Sequence, residues 1–150
     1  MRIFADSGAQ QSQENNSIPQ FLQGQGSKLQ GVFAVDGGST AVLGPALEKY
    51  GLTGKVASGG FDLEPATLTA IKAGQLGFTI DQSPYLQGFL PTLYLYLFKL
   101  SGGLVSPPET DTGLKFVVKG NADPYSSPQT RFEGSTQEQK YVQQSGAISS

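Results

Sequence analysis

The sequence predicts a three-layer α/β sandwich built on a parallel sheet. Short apolar runs recur along the chain, separated by helix-like stretches of about ten residues or more. Parallel strands need crossovers of that length, and a strand covered on both faces reads as a short continuous apolar run. The 150 residues also include 20 glycines, which suit a chain of alternating elements joined by tight turns.

Taken in order, residues 2–5 (RIFA) read as a first short strand. Residues 10–23 follow as a polar, weak helix, expected to break near Pro19. Residues 31–35 (GVFAV) form a stronger strand. The next helix runs over 39–50, with Ser39 as its N-cap and Gly51 just past its end. Residues 55–58 are a strand, and 64–73 a helix with Pro65 in its first turn and Gly74 after its last. Residues 76–80 are a strand. Ser83 caps a long apolar helix over 84–100, which Pro91 should kink. Its most apolar part, 89–100, is too short to span a bilayer and reads as a buried helix. Residues 113–119 (GLKFVVK) are a last strand, and 122–150, rich in Ser, Gln, Pro and Gly, an irregular extension.

Composition excludes several functions. With no Cys and no His, the chain has no disulfide, no thiolate nucleophile, no imidazole base and no usual zinc ligand set. A net charge of -2, from 10 basic and 12 acidic residues and with no basic stripe, gives no support for nucleic-acid binding. The opening MRIFADSGAQ lacks the order of a signal peptide, so any export signal is expected outside these residues.

Ligands of open parallel sheets sit beyond the carboxyl ends of the strands. Three strands lead there into polar groups: GVFAV into Asp36, KVAS through Gly59-Gly60-Phe61 into Asp62, and LGFTI into Asp81 and Gln82. Phe61 and Tyr85 flank them. Carboxylates that accept hydroxyl donors, an amide that donates and accepts, and aromatic faces for C–H patches together suit a neutral polyol. Gly37, Gly38, Gly59 and Gly60 would let backbone approach a ligand. Asp36 and Asp62 also each precede a helix, where aspartate is a common cap, and spacing alone leaves both roles open.

The segment GVFAVDGGSTAVLGPALEKYGLTGKVASGGFDLEPATLTAIKAGQLGFTIDQSPYLQGF resembles the type I periplasmic sugar-binding proteins, the ribose-binding-like solute receptors of ABC importers. The helix ALEKYGL, then GGFD, AIKAGQL, FTIDQSPYLQG and TGLKFVVKGNADPY occur in that family's order, over roughly residues 2–125. The resemblance implies a bacterial, periplasmic or lipid-anchored extracellular protein that binds a monosaccharide and catalyses nothing. Carried over by position, it implies that Asp62 binds sugar hydroxyls and that Gln82, a candidate ligand residue, matches the glutamine after the last ligand-facing strand, near the hinge. Asp36 stands where many members have asparagine, and Asp81 faces the ligand or orients Gln82. Near Gln10 many members place a stacking aromatic, which Ala9-Gln10-Gln11 does not provide.

The family has two lobes with the sugar buried between them, and this chain corresponds to part of the second. The resemblance divides it into lobe βα units (1–83), a helix that would pack on the N-terminal lobe (84–105), a final strand and crossover (106–125) and a polar tail (126–150). Without the other lobe, the apolar helix is expected to drive self-association. The remaining partner implied is the ABC permease.

Three rival readings are weaker. The effector domain of a LacI-type regulator shares the fold; an upstream helix-turn-helix would decide, and none lies within these 150 residues. VDGGST resembles the phosphate loop of actin-like sugar kinases, yet here a helix follows it and no second phosphate motif is apparent. GQGSK at 24–28 does not join a strand to a helix and reads as a turn. No catalytic constellation, metal site or cofactor is expected. Asp62 and Glu64 lie two apart, but Glu64 falls in a helix first turn, where a carboxylate complements the dipole.

Overall fold

A computed structural model describes residues 3–8, 10–103 and 109–126. Helix α1 (Gln11–Gln25) leads through a 3-10 turn to β1 (Gly31–Phe33). Then come α2 (Gly37–Lys49), β2 (Ala57–Phe61), α3 (Pro65–Ala73), β3 (Phe78–Asp81), α4 (Pro84–Leu100) and β4 (Lys115–Val117). The strands form one sheet in the order β1-β2-β3-β4. The first three are parallel, as expected from their helical crossovers. β4 instead runs antiparallel to β3, with Asp81 opposite Lys115.

Helices α1, α2 and α3 cover one face. Leu22, Leu43, Leu47, Leu68, Ile71 and Val117 form the heart of the core between them and the sheet. Strand alternation sends Thr79 and Val117 into this core and Phe78 and Phe116 to the opposite face. There Phe33, Phe78 and Phe116 make an aromatic row across the strands, with successive ring centroids 6.0 and 5.3 Å apart. Two layers of the sandwich are thus built among the described residues.

Several elements differ from expectation. Residues 3–8 carry no strand and Phe4 is 95% exposed; Arg2 lies outside the described residues, and among these nothing pairs with the free edge of β1. α1 runs through Pro19 unbroken. The carbonyl that loses its partner belongs to Asn15, at an exposed position where water can satisfy it. β2 begins later than residue 55 and includes both Gly59 and Gly60. The cap of α2 is Asp36 rather than Ser39: its carboxylate accepts from the Ser39 N–H at 2.8 Å. Gly51 and Gly74 end their helices at positive φ, as glycines past a helix terminus should.

Ser83 does not cap α4. It is left-handed, and its own N–H is taken by the Asp81 carboxylate at 2.9 Å. α4 continues through Pro91 as one helix and is not buried: none of its residues is, because no neighbouring layer packs on it. No helix of the described residues is long and apolar enough to cross a membrane. The extension expected to be irregular from residue 122 is anchored at its start. Ala122 is fully buried and Tyr125 enters the core from a 3-10 turn, Asp123–Ser126. Residues 127–150 lie outside the described residues.

Candidate ligand-binding site

Three strand-to-helix turns meet at the carboxyl edge of the sheet. Asp36 ends the turn after β1, Asp62 follows β2, and Gln82 follows β3. The structure brings two of these side chains into direct contact: Gln82 Nε2 donates to Asp62 Oδ1 at 2.7 Å. The Asp36 turn abuts the same carboxylate. A Cβ on Gly37 would lie 2.9 Å from Asp62 Oδ2, so only glycine lets the turns approach this closely.

Asp62 is held by its backbone as well. Its φ is 69°, in the left-handed region that aspartate tolerates better than most residues. Its N–H donates to Ile80 O at 2.9 Å, and its carbonyl accepts from Thr79 Oγ1 at 2.7 Å. Thr79 is fully buried on the core side of β3. Its one sequence signal was a polar residue between Phe78 and Ile80.

A cleft of about 620 Å³ opens here, within the range of small-molecule sites. Asp62, Asp81 and Gln82 line it, together with residues of α3 such as Lys72 and with Tyr125 and Ser126. Asp81 is buried and also holds the turn into α4 through Ser83. Lys72 is ion-paired with Asp123 at 2.8 Å. The wall formed by Asp62, Asp81 and Gln82 is rich in acceptors with one amide, a set that receives hydroxyl donors.

The other expected residues stand apart from this wall. Phe61 and Gln10 do not line the cleft. Phe61 donates its N–H to Thr40 Oγ1 at 3.0 Å. Gln10 is the exposed N-cap residue of α1. Tyr85 stacks on Phe89 along α4, with centroids 5.8 Å apart. Asp36 caps α2. Burial raises its pKa, but hydrogen bonds from backbone N–H groups, Ser39 first and Gly38 with it, outweigh this and hold it below the ordinary carboxylate value.

The four glycines expected to admit a ligand are occupied by the protein itself. Gly59 lies beneath the Phe78 ring, Gly60 against Thr40, Gly38 against Glu14 and Gly37 against Asp62. Glu14 was not anticipated. It is 5% exposed, and its Oε1 accepts from Ser39 Oγ at 3.1 Å beside Asp36. Its run, QQSQENNS, gives no sign that one carboxylate turns inward.

A mostly parallel sheet whose carboxyl edge gathers hydroxyl acceptors beside a cleft has the architecture of an α/β solute-binding lobe. Residues 3–98 match the family described as Periplasmic binding protein domain, and the chain belongs to that family. It is 46% identical over 134 residues to the xylose/arabinose-binding protein XylF of Sulfolobus acidocaldarius. That match covers 86% of this chain and 33% of the relative, so the chain spans about a third of that protein's length.

Among solved structures it is similar to an ABC transporter solute-binding protein of Agrobacterium vitis with bound D-fucose. The identity is 26% and the TM-score 0.67, over 82% of this chain and 40% of the other. A carbohydrate transporter solute-binding protein of Agrobacterium radiobacter, in complex with D-arabinose, is 29% identical with a TM-score of 0.64, over 78% and 39% of the two chains. These matches favour neither the LacI-type nor the kinase reading.

Proposed function

We propose that this chain is part of the sugar-binding component of an ABC importer and forms one wall of a monosaccharide site. The observation that carries this is Asp62, locked at positive φ, braced by Gln82 and facing a cleft. A carboxylate fixed in this way accepts two hydroxyls of a polyol without first being ordered. The relatives named for xylose, arabinose and fucose support a pentose or a similar pyranose as ligand. Asp81 lines the same wall, and Asp36, Phe61 and Gln10 would belong to the wider surface around the sugar.

In this reading the sugar is gripped between this lobe and another. It biases a hinge toward a closed form that the permease recognises. The protein catalyses nothing and works outside the cytoplasmic membrane, periplasmic or lipid-anchored at the cell surface. The exposed apolar residues of α4 face the other lobe or, without it, a second copy of the chain.

The test is an NMR titration of the chain with D-xylose, D-arabinose, D-fucose and myo-inositol. Shifts confined to Asp62, Gln82 and their neighbours with one or two of these sugars are expected. No perturbation there with any of them would overturn the reading.

A further inference from the structure

Strand β1 ends at Phe33, while β2 continues to Phe61. The last backbone rung between them runs from Ala34 N–H to Gly59 O at 3.0 Å. β1 ends there, and the next donor of β2 on that side, Phe61 N–H, meets no β1 carbonyl. A side chain takes that place. Thr40 Oγ1 accepts from Phe61 N at 3.0 Å and donates to Asp36 O at 2.6 Å. The hydroxyl is fully buried and uses its single proton and one lone pair in a continuous line. That line joins Asp36 itself to the residue just before Asp62.

The neighbouring glycine makes this possible. A Cβ on Gly60 would lie 2.2 Å from Thr40 Oγ1, so any other residue would push the hydroxyl off the strand. Here Gly60 admits a threonine rather than a ligand. We propose that Thr40 is a positioning residue of the sugar site: its hydroxyl replaces the missing rung of the sheet and sets the spacing between the Asp36 and Asp62 turns. This rests on the monosaccharide-site reading for its consequence in binding, though not for its geometry. Replacing the hydroxyl with a methyl takes away the acceptor of the part-buried Phe61 N–H, which loosens the Asp62 turn while the core around Leu47 and Ile71 keeps its packing.

The experiment compares the 150-residue chain with its Thr40→Val and Thr40→Ser variants by NMR. The readouts are amide hydrogen exchange and a D-arabinose titration. Thr40→Val should speed exchange at Phe61 and Asp62 roughly tenfold, leave Leu47 and Ile71 as in the parent, and weaken D-arabinose binding roughly tenfold. Thr40→Ser, which keeps the hydroxyl, should restore both. Equal effects of valine and serine, or faster exchange spread evenly over the core, would overturn the proposal. If the parent gives no response to D-arabinose, the sugar assignment fails for that ligand, and exchange at Phe61 and Asp62 still decides the role of Thr40. If the valine variant does not fold, Thr40→Ala provides the same comparison with serine.

Discussion

Gln82 reaches across the ends of β3 and β2 to place its amide 2.7 Å from the Asp62 carboxylate. With Ile80 and Thr79 holding the Asp62 backbone, the carboxylate is fixed before any ligand arrives. Left-handed backbone costs a non-glycine residue about 1–2 kcal/mol, and here it persists because three neighbours over-determine it. Strain of this kind clusters at ligand clamps.

This geometry separates two substitutions at Asp62. Asparagine tolerates the left-handed region and preserves shape, so Asp62→Asn should fold like the parent and weaken sugar binding by about 1.5–3 kcal/mol, the scale of hydrogen bonds to a charged group. Asp62→Ala should lose as much binding and also about 1 kcal/mol of stability, since alanine is poorly suited to φ 69°. Calorimetric titration and urea unfolding of both variants test this. Parent-like affinity in both would remove Asp62 from the site.

The alternation of strands and helices was legible because glycine, proline and apolar runs punctuate the chain. Asp62 and Gln82 were legible because both follow strands. What stayed hidden depends on contacts distant in sequence. GGF reads as a turn until Phe78 and Thr40 are seen to fill the space over its glycines, which keeps both in β2. Glu14 sits in a uniformly polar run, and only the docking of α1 on α2 buries it. RIFA has strand-like residues, but whether a strand forms depends on a partner, and the β1 edge has none among the described residues. Asp36 could be read as cap or ligand residue, and the cap is what the geometry supplies.

The cap makes a pH prediction. Asp36 titrates below its ordinary value of 3.8 in the folded chain. Its ionised form therefore stabilises the fold fully above that value, and the contribution is lost as pH falls through the folded pKa. Asp36→Ala should cost about 0.5–2 kcal/mol at neutral pH. Asp36→Asn, which still caps, should cost less. The gap between parent and either variant should narrow on acidification below 3.8. Urea unfolding across this range is the measurement, and a gap that widens with acid would contradict the assignment.

The exposed helix α4 makes a prediction about assembly. Leu95 and Leu100 are 71% and 70% exposed, and no residue of the helix is buried. The isolated chain should associate with increasing concentration in sedimentation velocity. Leu95→Lys with Leu100→Lys should shift it toward monomer without lowering its thermal midpoint, since neither side chain supports the core. A parent that stays monomeric throughout would show that the helix needs no cover.

Two glycines inside helices should respond to alanine with opposite signs. Gly24 lies in α1, and a Cβ there would meet nothing within 4 Å. Gly24→Ala should therefore stabilise by about 0.5–1 kcal/mol, the helix-propensity difference. Gly44 lies in α2 where it crosses α3, and an added Cβ would sit 2.6 Å from the Ala70 Cβ. Ala70 is almost fully buried and its Cβ has no rotamer by which to yield, so the two helices would have to separate. Overpacking of this kind costs about 1–3 kcal/mol, which exceeds the propensity gain. Gly44→Ala should be net destabilising, and Ala70→Gly in the same chain should recover the packing part of the loss. A double-mutant cycle by urea unfolding measures that coupling. If Gly44→Ala were as stabilising as Gly24→Ala, the close crossing of α2 and α3 would be wrong.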